Sequence, residues 1–315
     1  MPADRELRLL SVVAPMLDEE ALAAEFHRRM TSALEGLEYE LIVVDDGSTD
    51  ATPEILADLA SRDPRLRVLR LSRRFGHQLA LTAGLDAARG DAVVMLDGDL
   101  QDPPEVIGQL LARWREGADV VAGRRVRREG ERRLKLATAR WFYRVIGRLA
   151  QLDLEPDAGD FHLLDRRALD ALLEMRERAR YLRGMTAWVG FEQATVEYDR
   201  ATRPAGETKY PLRRMIRFAL DGLSSFSHFP LQLATYAGIT CSVLAFLGLP
   251  LTVVARYSGI YERGVPSLLF VVLFIGGLQL LTLGVIGEYI GRIYDEVKRR
   301  PLYVVAERHN APPPP

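Results

Sequence analysis

The sequence predicts an α/β domain built on a largely parallel sheet, followed by an amphipathic helix and a pair of membrane-crossing helices. Three observations predict it. Over roughly the first 123 residues, short β-branched runs alternate with helix-length amphipathic segments. Acidic residues stand at the ends of two of those runs, and two long charge-free stretches lie near the carboxyl end.

The runs at 9–14, 39–45, 66–71, 92–96 and 119–123 read as strands. Leu41-Ile42-Val43-Val44 and Ala92-Val93-Val94-Met95-Leu96 are continuously apolar, as expected when helices cover both faces of a sheet. Ligands of such sheets sit beyond the carboxyl ends of the strands, where Asp45-Asp46 and Asp97-Gly98-Asp99 fall. Residues 124–150 read as a basic helical segment, 153–160 as an acidic loop, and 161–164 and 191–198 as two further strands. Residues 199–209 are polar and contain Pro204 and Gly206, which predicts a mobile loop and closes a first domain over 1–210.

In 211–229, Leu212, Met215, Ile216, Ala219, Leu220 and Leu223 recur at helical spacing against Arg213, Arg214 and Arg217, the pattern of an interfacial amphipathic helix. The stretches 231–254 and 265–287 carry no charged residue. Each is long enough to cross a hydrocarbon core of about 30 Å, so 230–290 reads as a transmembrane hairpin and 291–315 as a tail.

Arg213, Arg214 and Arg217 precede the hairpin and Arg292, Lys298, Arg299 and Arg300 follow it, whereas the loop between offers Arg256 and Arg263 beside Glu262. The positive-inside bias then puts the large domain and both termini on the cytoplasmic side of the plasma (inner) membrane, as a multi-pass protein. The first eight residues lack a signal-peptide layout. Lys plus Arg (42) and Asp plus Glu (43) nearly cancel, so no basic field gathers nucleic acid. The single cysteine, Cys241, excludes an intrachain disulfide and a cysteine metal cage, and fits a reducing compartment.

Carboxylates at i and i+2 beyond a buried strand, as in Asp97-Gly98-Asp99, repel each other unless a cation lies between them. Mg²⁺ takes one or two carboxylates plus substrate phosphate oxygens, Mn²⁺ suits the same ligands, and Gln101 offers one more oxygen. An EF-hand is excluded, because a twelve-residue count from Asp97 ends on Gly108. The histidines show no metal spacing, and His77 reads as a packed or hydrogen-bonded loop residue. Between Arg124 and Lys135 there are seven basic residues in twelve positions, which by itself describes a solvated face.

Val12-Val13-Ala14-Pro15 with Glu19-Glu20, Val43-Val44-Asp45-Asp46-Gly47-Ser48-Thr49-Asp50, and Asp97-Gly98-Asp99-Leu100-Gln101-Asp102-Pro103-Pro104 together resemble family 2 glycosyltransferases of the Rossmann-like GT-A fold. Phe75-Gly76-His77-Gln78, Ala83-Gly84-Leu85-Asp86, Gly159-Asp160-Phe161 and Gly206-Glu207-Thr208-Lys209-Tyr210 look like the polyprenyl-phosphate branch, which holds dolichyl-phosphate mannose synthases and bacterial undecaprenyl-phosphate glucosyltransferases. The resemblance spans residues 9–300.

It implies that Pro15 and Glu19 line a nucleotide pocket, that Asp45 or Asp46 contacts the base, and that Asp97 sits near ribose and metal. Asp99 and Gln101 would be metal ligands, and Arg203 with Lys209 would clamp the diphosphate. Arg124 would bind the acceptor phosphate, with Lys135 and Thr138 the nearest matches to a second Arg and a Ser of the family. Asp157 or Asp160 would align the acceptor. Asp18 and His162 depart from the Asn and Arg common at these positions.

The implied reaction is a metal-dependent single displacement with inversion, from a nucleotide-sugar to polyprenyl phosphate. UDP-glucose is the first choice of donor, ahead of GDP-mannose and modified UDP-pentoses. A processive polysaccharide synthase would carry Gln-x-x-Arg-Trp late in the domain, whereas Gln109 to Trp114 has one residue too many and comes too early. A non-catalytic nucleotide-sugar sensor is disfavoured by the intact Asp97, Asp99, Gln101 and Arg203. No Gly-x-Gly-x-x-Gly follows the first strand, which excludes a dinucleotide oxidoreductase. Oligomeric state, a homo-oligomer included, is left open.

Overall fold

The computed structural model describes residues 5–125, 158–199 and 265–311, together with some positions between 231 and 258. The chain forms two compact units, Met1–Lys209 with Arg300–Pro315, and Tyr210–Arg299.

The first unit is organised on eight strands: β1 (Leu10–Met16), β2 (Tyr39–Asp45), β3 (Leu66–Leu71), β4 (Ala92–Met95), β5 (Val120–Arg125), β6 (Ala158–Asp165), β7 (Gln193–Tyr198) and β8 (Val305–His309). Their order is β7-β5-β6-β4-β1-β2-β3-β8. β4, β1, β2 and β3 run parallel, as do β5 and β7. β6 lies antiparallel between β4 and β5, and β8 lies antiparallel on β3. The carboxyl ends of the parallel strands therefore share one edge with the beginning of β6. This is the expected α/β, mostly parallel architecture.

Every residue of β1, β2 and β4 is buried, because helices cover both faces. Helix α1 (Ala23–Ala33) buries Ala23, Phe26 and Met30, and α2 (Thr52–Arg62) buries Thr52, Leu56 and Ala60, each a single stripe at helical spacing. Helix α3 (His77–Ala87) is rich in alanine and packs on β1 and β2. Helix α4 (Ile107–Arg115) buries Ile107, Leu110, Leu111 and Trp114. Helix α5 (Arg166–Glu174) is capped by Asp165, which accepts from Arg167 N at 3.0 Å and from Trp114 Nε1 at 2.8 Å. Helix α6 (Leu182–Trp188) follows.

Two features differ from the sequence expectation. Arg124 and Arg125, expected in a helical basic segment, finish β5, because the ladder with β7 continues through the pairs Arg124↔Glu197 and Arg125↔Tyr198. The segment expected to be a tail supplies β8. Val-Ala-Glu-Arg-His carries little strand signal of its own, and the open edge of β3 makes it a strand. Ser72 N donates to Val304 O at 2.9 Å, and Asn310 Nδ2 donates to Ala60 O at 2.6 Å and to Leu66 O at 2.9 Å.

In the second unit, α7 (Val265–Val297) covers the expected span 265–287 and continues beyond it. An 18-residue window within its stretch Phe274–Val297 has a mean hydropathy of 1.4 and none of that window is buried, and among the described residues this is the one helix long and apolar enough to cross a membrane. Residues 234–240 of the other expected span are helical. The rest of that span lies largely outside the described residues, and the interfacial helix 211–229 lies wholly outside them.

Candidate active site

The acidic turn begins where β4 runs out into Leu96 and Asp97. A Cβ at Gly98 would stand 2.8 Å from both Met16 Cγ and Pro15 O, so only glycine lets the turn pass this close to the end of β1. Leu100 takes φ 58°, a left-handed conformation that costs a non-glycine residue about 1–2 kcal/mol. Such strain persists where surrounding contacts over-determine it, as they do here: Gln101 N donates to Asp99 Oδ1 at 3.1 Å, and Leu100, Gln101 and Asp102 are buried.

The facing wall comes from the β3–α3 connection. Asp46 accepts from Phe75 N at 2.7 Å and from Gly76 N at 2.9 Å, which fixes the entry to α3 and delivers His77 as its first residue. His77 Nε2 lies 3.1 Å from Asp160 Oδ2 and 3.4 Å from Asp97 Oδ1. Asp160 reaches this point because β6 runs against its neighbours, so its first residues lie at the carboxyl edge of the others. Gln78 Nε2 donates to Asp160 Oδ2 at 3.2 Å while its Oε1 accepts from Leu182 N at 2.8 Å, and Arg183 Nη2 lies 3.8 Å from Asp160 Oδ1.

These surroundings drive the two carboxyl groups apart. Burial, reinforced by the carboxylates of Asp160, Asp102 and Asp99, pushes Asp97 up to about 6 despite His77. Burial acts the same way on Asp160, but the hydrogen bond to His77 and the charges of Arg183 and His77 outweigh it and bring Asp160 to about 2. Burial also lowers His77, yet its contacts with Asp160 and Asp97 leave it above the ordinary histidine value. His162, standing where the family often has Arg, is buried and depressed to about 4, so it is a neutral imidazole at pH 7.

Of the residues singled out in the sequence, Asp97 and Asp160 meet here beside His77, whereas Asp99 and Gln101 stand further along the same turn and Asp99 is not among the carboxylates of that cluster; buried Pro15 lies against Gly98. Glu19 is half-buried where the chain leaves β1, and its N–H donates to Thr52 Oγ1 at 2.9 Å. Asp45 accepts from Ser48 N at 2.8 Å and is fully buried, so both it and Asp46 hold the second loop together. Asp18 takes φ 54° and its Oδ1 accepts from Thr49 N at 2.8 Å, a conformation Asn and Asp tolerate alike. Arg124 pairs with Glu197 across β5 and β7. Lys135, Thr138, Asp157, Arg203 and Lys209 lie outside the described residues. His77, Gln78 and Arg183 were not anticipated. Their partner, Asp160, is remote in sequence, and the Phe75-Gly76-His77-Gln78 run was the one signal available.

The donor set fits a divalent cation. His77 and the carboxylate oxygens of Asp97 and Asp160 offer ligand atoms all within 4.8 Å of one another, and among the described residues Asp97 Oδ1 is buried without a hydrogen-bond partner, with His77 Nε2 standing 3.4 Å away. A buried carboxylate oxygen left without a donor is costly unless a cation meets it.

A family model described as Glycosyl transferase family 2 matches residues 11–173. Uncharacterized glycosyltransferase YkcC of Bacillus subtilis (strain 168) is 44% identical over 95% of this chain and 94% of its own length. Bactoprenol glucosyl transferase of Shigella phage SfII is 42% identical over 96% of this chain and 99% of its own. A solved glucosyl-3-phosphoglycerate synthase from Mycobacterium tuberculosis, in complex with phosphoglyceric acid, is 25% identical over 70% of this chain and 80% of its own, with a TM-score of 0.48. By the match to its family model and by relatives similar along nearly their whole length, this chain belongs to glycosyl transferase family 2.

Proposed function

We propose that this protein transfers glucose from UDP-glucose to a polyprenyl phosphate, with inversion, at the cytoplasmic face of the membrane. The observation that carries the reading is the 42% identity, over 96% of this chain, to an enzyme named bactoprenol glucosyl transferase. The site chemistry supports it. A divalent cation held by Asp97 and Asp99, with His77 and Asp160 beside them, would neutralise charge developing on the leaving diphosphate. Asp160, at about 2, stays ionised and cannot donate a proton. An acceptor phosphate monoester is already anionic at neutral pH, so Asp160 serves to align rather than to deprotonate it. His77, Gln78 and Arg183 hold that carboxylate in place. Arg203 and Lys209 are assigned to the donor diphosphate, and Arg124 to the acceptor phosphate.

Chain connectivity supports the hairpin. β7 and β8 belong to one sheet, so the chain between residues 198 and 305 must cross the membrane an even number of times. If α7 crosses once, a second crossing lies upstream, where 231–254 is free of charge. The flanking arginines and lysines then favour the cytoplasm for the catalytic unit.

The test is transfer by the purified full-length protein, with polyprenyl phosphate and radiolabelled UDP-glucose, GDP-mannose or a UDP-pentose in Mg²⁺ or Mn²⁺. Label should enter a lipid-extractable product from UDP-glucose first. Label from another donor alone would overturn the sugar assignment, and label from none would overturn the reaction.

A further inference from the structure

Asp102 closes the acidic turn and is fully buried, where a carboxylate is costly unless charge and hydrogen bonds compensate it. Tyr198 Oη donates to its Oδ1 at 2.5 Å, and Arg125 Nη2 lies 3.3 and 3.4 Å from its two oxygens. Arg125 Nε donates to Tyr198 Oη at 3.2 Å, so the three side chains form a closed ring of contacts. Arg125 and Tyr198 are the last residues of β5 and β7 and are register partners. The ring has little room to reorganise. Phe161 meets Tyr198 edge-on with centroids 5.4 Å apart, and a Cβ at Gly159 would stand 2.7 Å from Arg125 Nη2.

β7 is the outermost strand on its side of the sheet, and the end of an edge strand is held by fewer partners than an interior one. Its last residue is nevertheless bonded to the turn that carries Asp97 and Asp99. After Tyr198 the sequence runs on through 199–209, with Arg203 and Lys209.

We infer that Asp102, Arg125 and Tyr198 form a positioning latch that fixes the end of β7 to the acidic turn, and so sets the point from which the sequence continues to Arg203 and Lys209. The inference rests on the donor role proposed above for Arg203 and Lys209. A sugar diphosphate has to meet both the acidic turn and those cations, and among the described residues the latch is the side-chain link between the turn and the end of β7. None of the three residues need touch the substrate.

Tyr198→Phe tests this, because it keeps the ring against Phe161 and removes only the hydroxyl. Steady-state kinetics of the full-length enzyme, with UDP-glucose and polyprenyl phosphate varied separately, should show the donor KM raised about tenfold, the scale of one hydrogen bond to a charged group. The acceptor KM should stay within about twofold. Asp102→Asn keeps an acceptor for the tyrosine hydroxyl but not the charge opposite Arg125, and should also raise the donor KM selectively. A Tyr198→Phe donor KM equal to wild type, with Arg203→Ala raising it, overturns the latch and leaves the donor assignment standing. An unchanged donor KM in Arg203→Ala overturns the donor assignment, and the latch with it. An equal rise in both KM values, accompanied by a lowered Tm, marks general destabilisation and also overturns the latch.

Discussion

Replacing Gly98 by alanine forces one methyl group into the approach between the acidic turn and the end of β1. The added carbon would meet Pro15 O and Met16 Cγ at 2.8 Å, against 3.4 Å or more in ordinary contact, so something must yield by about 0.6 Å. Met16 can swing its side chain aside, but the Pro15 carbonyl belongs to a buried strand paired at this point with Val44 of β2 and does not give easily. The turn is what moves, and it carries Asp97 and Asp99. Overpacking of this kind costs about 1–3 kcal/mol, a Tm lower by roughly 2–10 °C for a unit of this size. Misplacing catalytic groups by an ångström costs about a hundredfold in rate, so kcat should fall roughly ten- to a hundred-fold. The matched control is Gly108→Ala. Its Cβ meets nothing within 4 Å in α4, and the exchange should stabilise by about 0.5–1 kcal/mol with activity intact. The assay is glucosyl transfer with thermal unfolding followed in parallel. A Gly98→Ala protein with wild-type kcat and an unchanged response to divalent cation would refute the claim that this approach fixes the carboxylates.

Asp99→Ala should abolish transfer without lowering Tm by more than a few degrees, and excess chelator should do the same to the wild type; full activity in either case would remove the metal assignment. With Cys241 replaced by serine, a cysteine at position 260 should react with an impermeant thiol reagent from outside intact cells and one at position 150 should not; the reverse pattern inverts the topology. Arg124→Ala should raise the KM for polyprenyl phosphate about ten- to a hundred-fold, the scale of a charge-assisted contact of about 1.5–3 kcal/mol. Because Arg124 pairs with Glu197, Glu197→Ala is the companion variant: if it raises the acceptor KM equally, Arg124 acts through the strand pair and not on the phosphate.

The strands and their carboxyl ends were legible because β1, β2 and β4 are buried on both faces, and a continuous apolar run that stops at Asp45 or Asp97 suits a strand covered by helices better than any exposed element. The acidic turn was legible for the same local reason. His77 with Asp160, and Tyr198 with Asp102, were not. Each pair meets only because β6 is inserted antiparallel between β4 and β5, with β7 added parallel outside β5, and that order is settled by tertiary packing. Arg124 and Arg125 looked like two members of one charge run. Strand alternation separates them, sending Arg124 to exposed Glu197 and Arg125 to buried Asp102.

β8 shows how far the catalytic unit depends on chain that follows the apolar helix. α3 presents His77 to the site from its first turn and ends near Asp86. Ser72, on the approach to α3, donates its N–H to Val304 O, while Tyr303 Oη donates to Asp86 Oδ2 at 2.7 Å and Arg176 Nη1 to Asp86 Oδ1 at 2.7 Å. The carboxyl-terminal segment thus grips the His77 helix at both its approach and its far end. Burial pushes the Tyr303 hydroxyl above its ordinary value, so it remains a hydrogen-bond donor over the whole physiological range. Residues 10–198 alone would leave β3 with an open edge, Asp86 short of a donor, and Ala60 O and Leu66 O without the Asn310 amide. The pose of His77 between Asp97 and Asp160 is therefore a property of a sheet completed only after α7, and the helix is embedded in the middle of the catalytic unit's sequence rather than appended to its end.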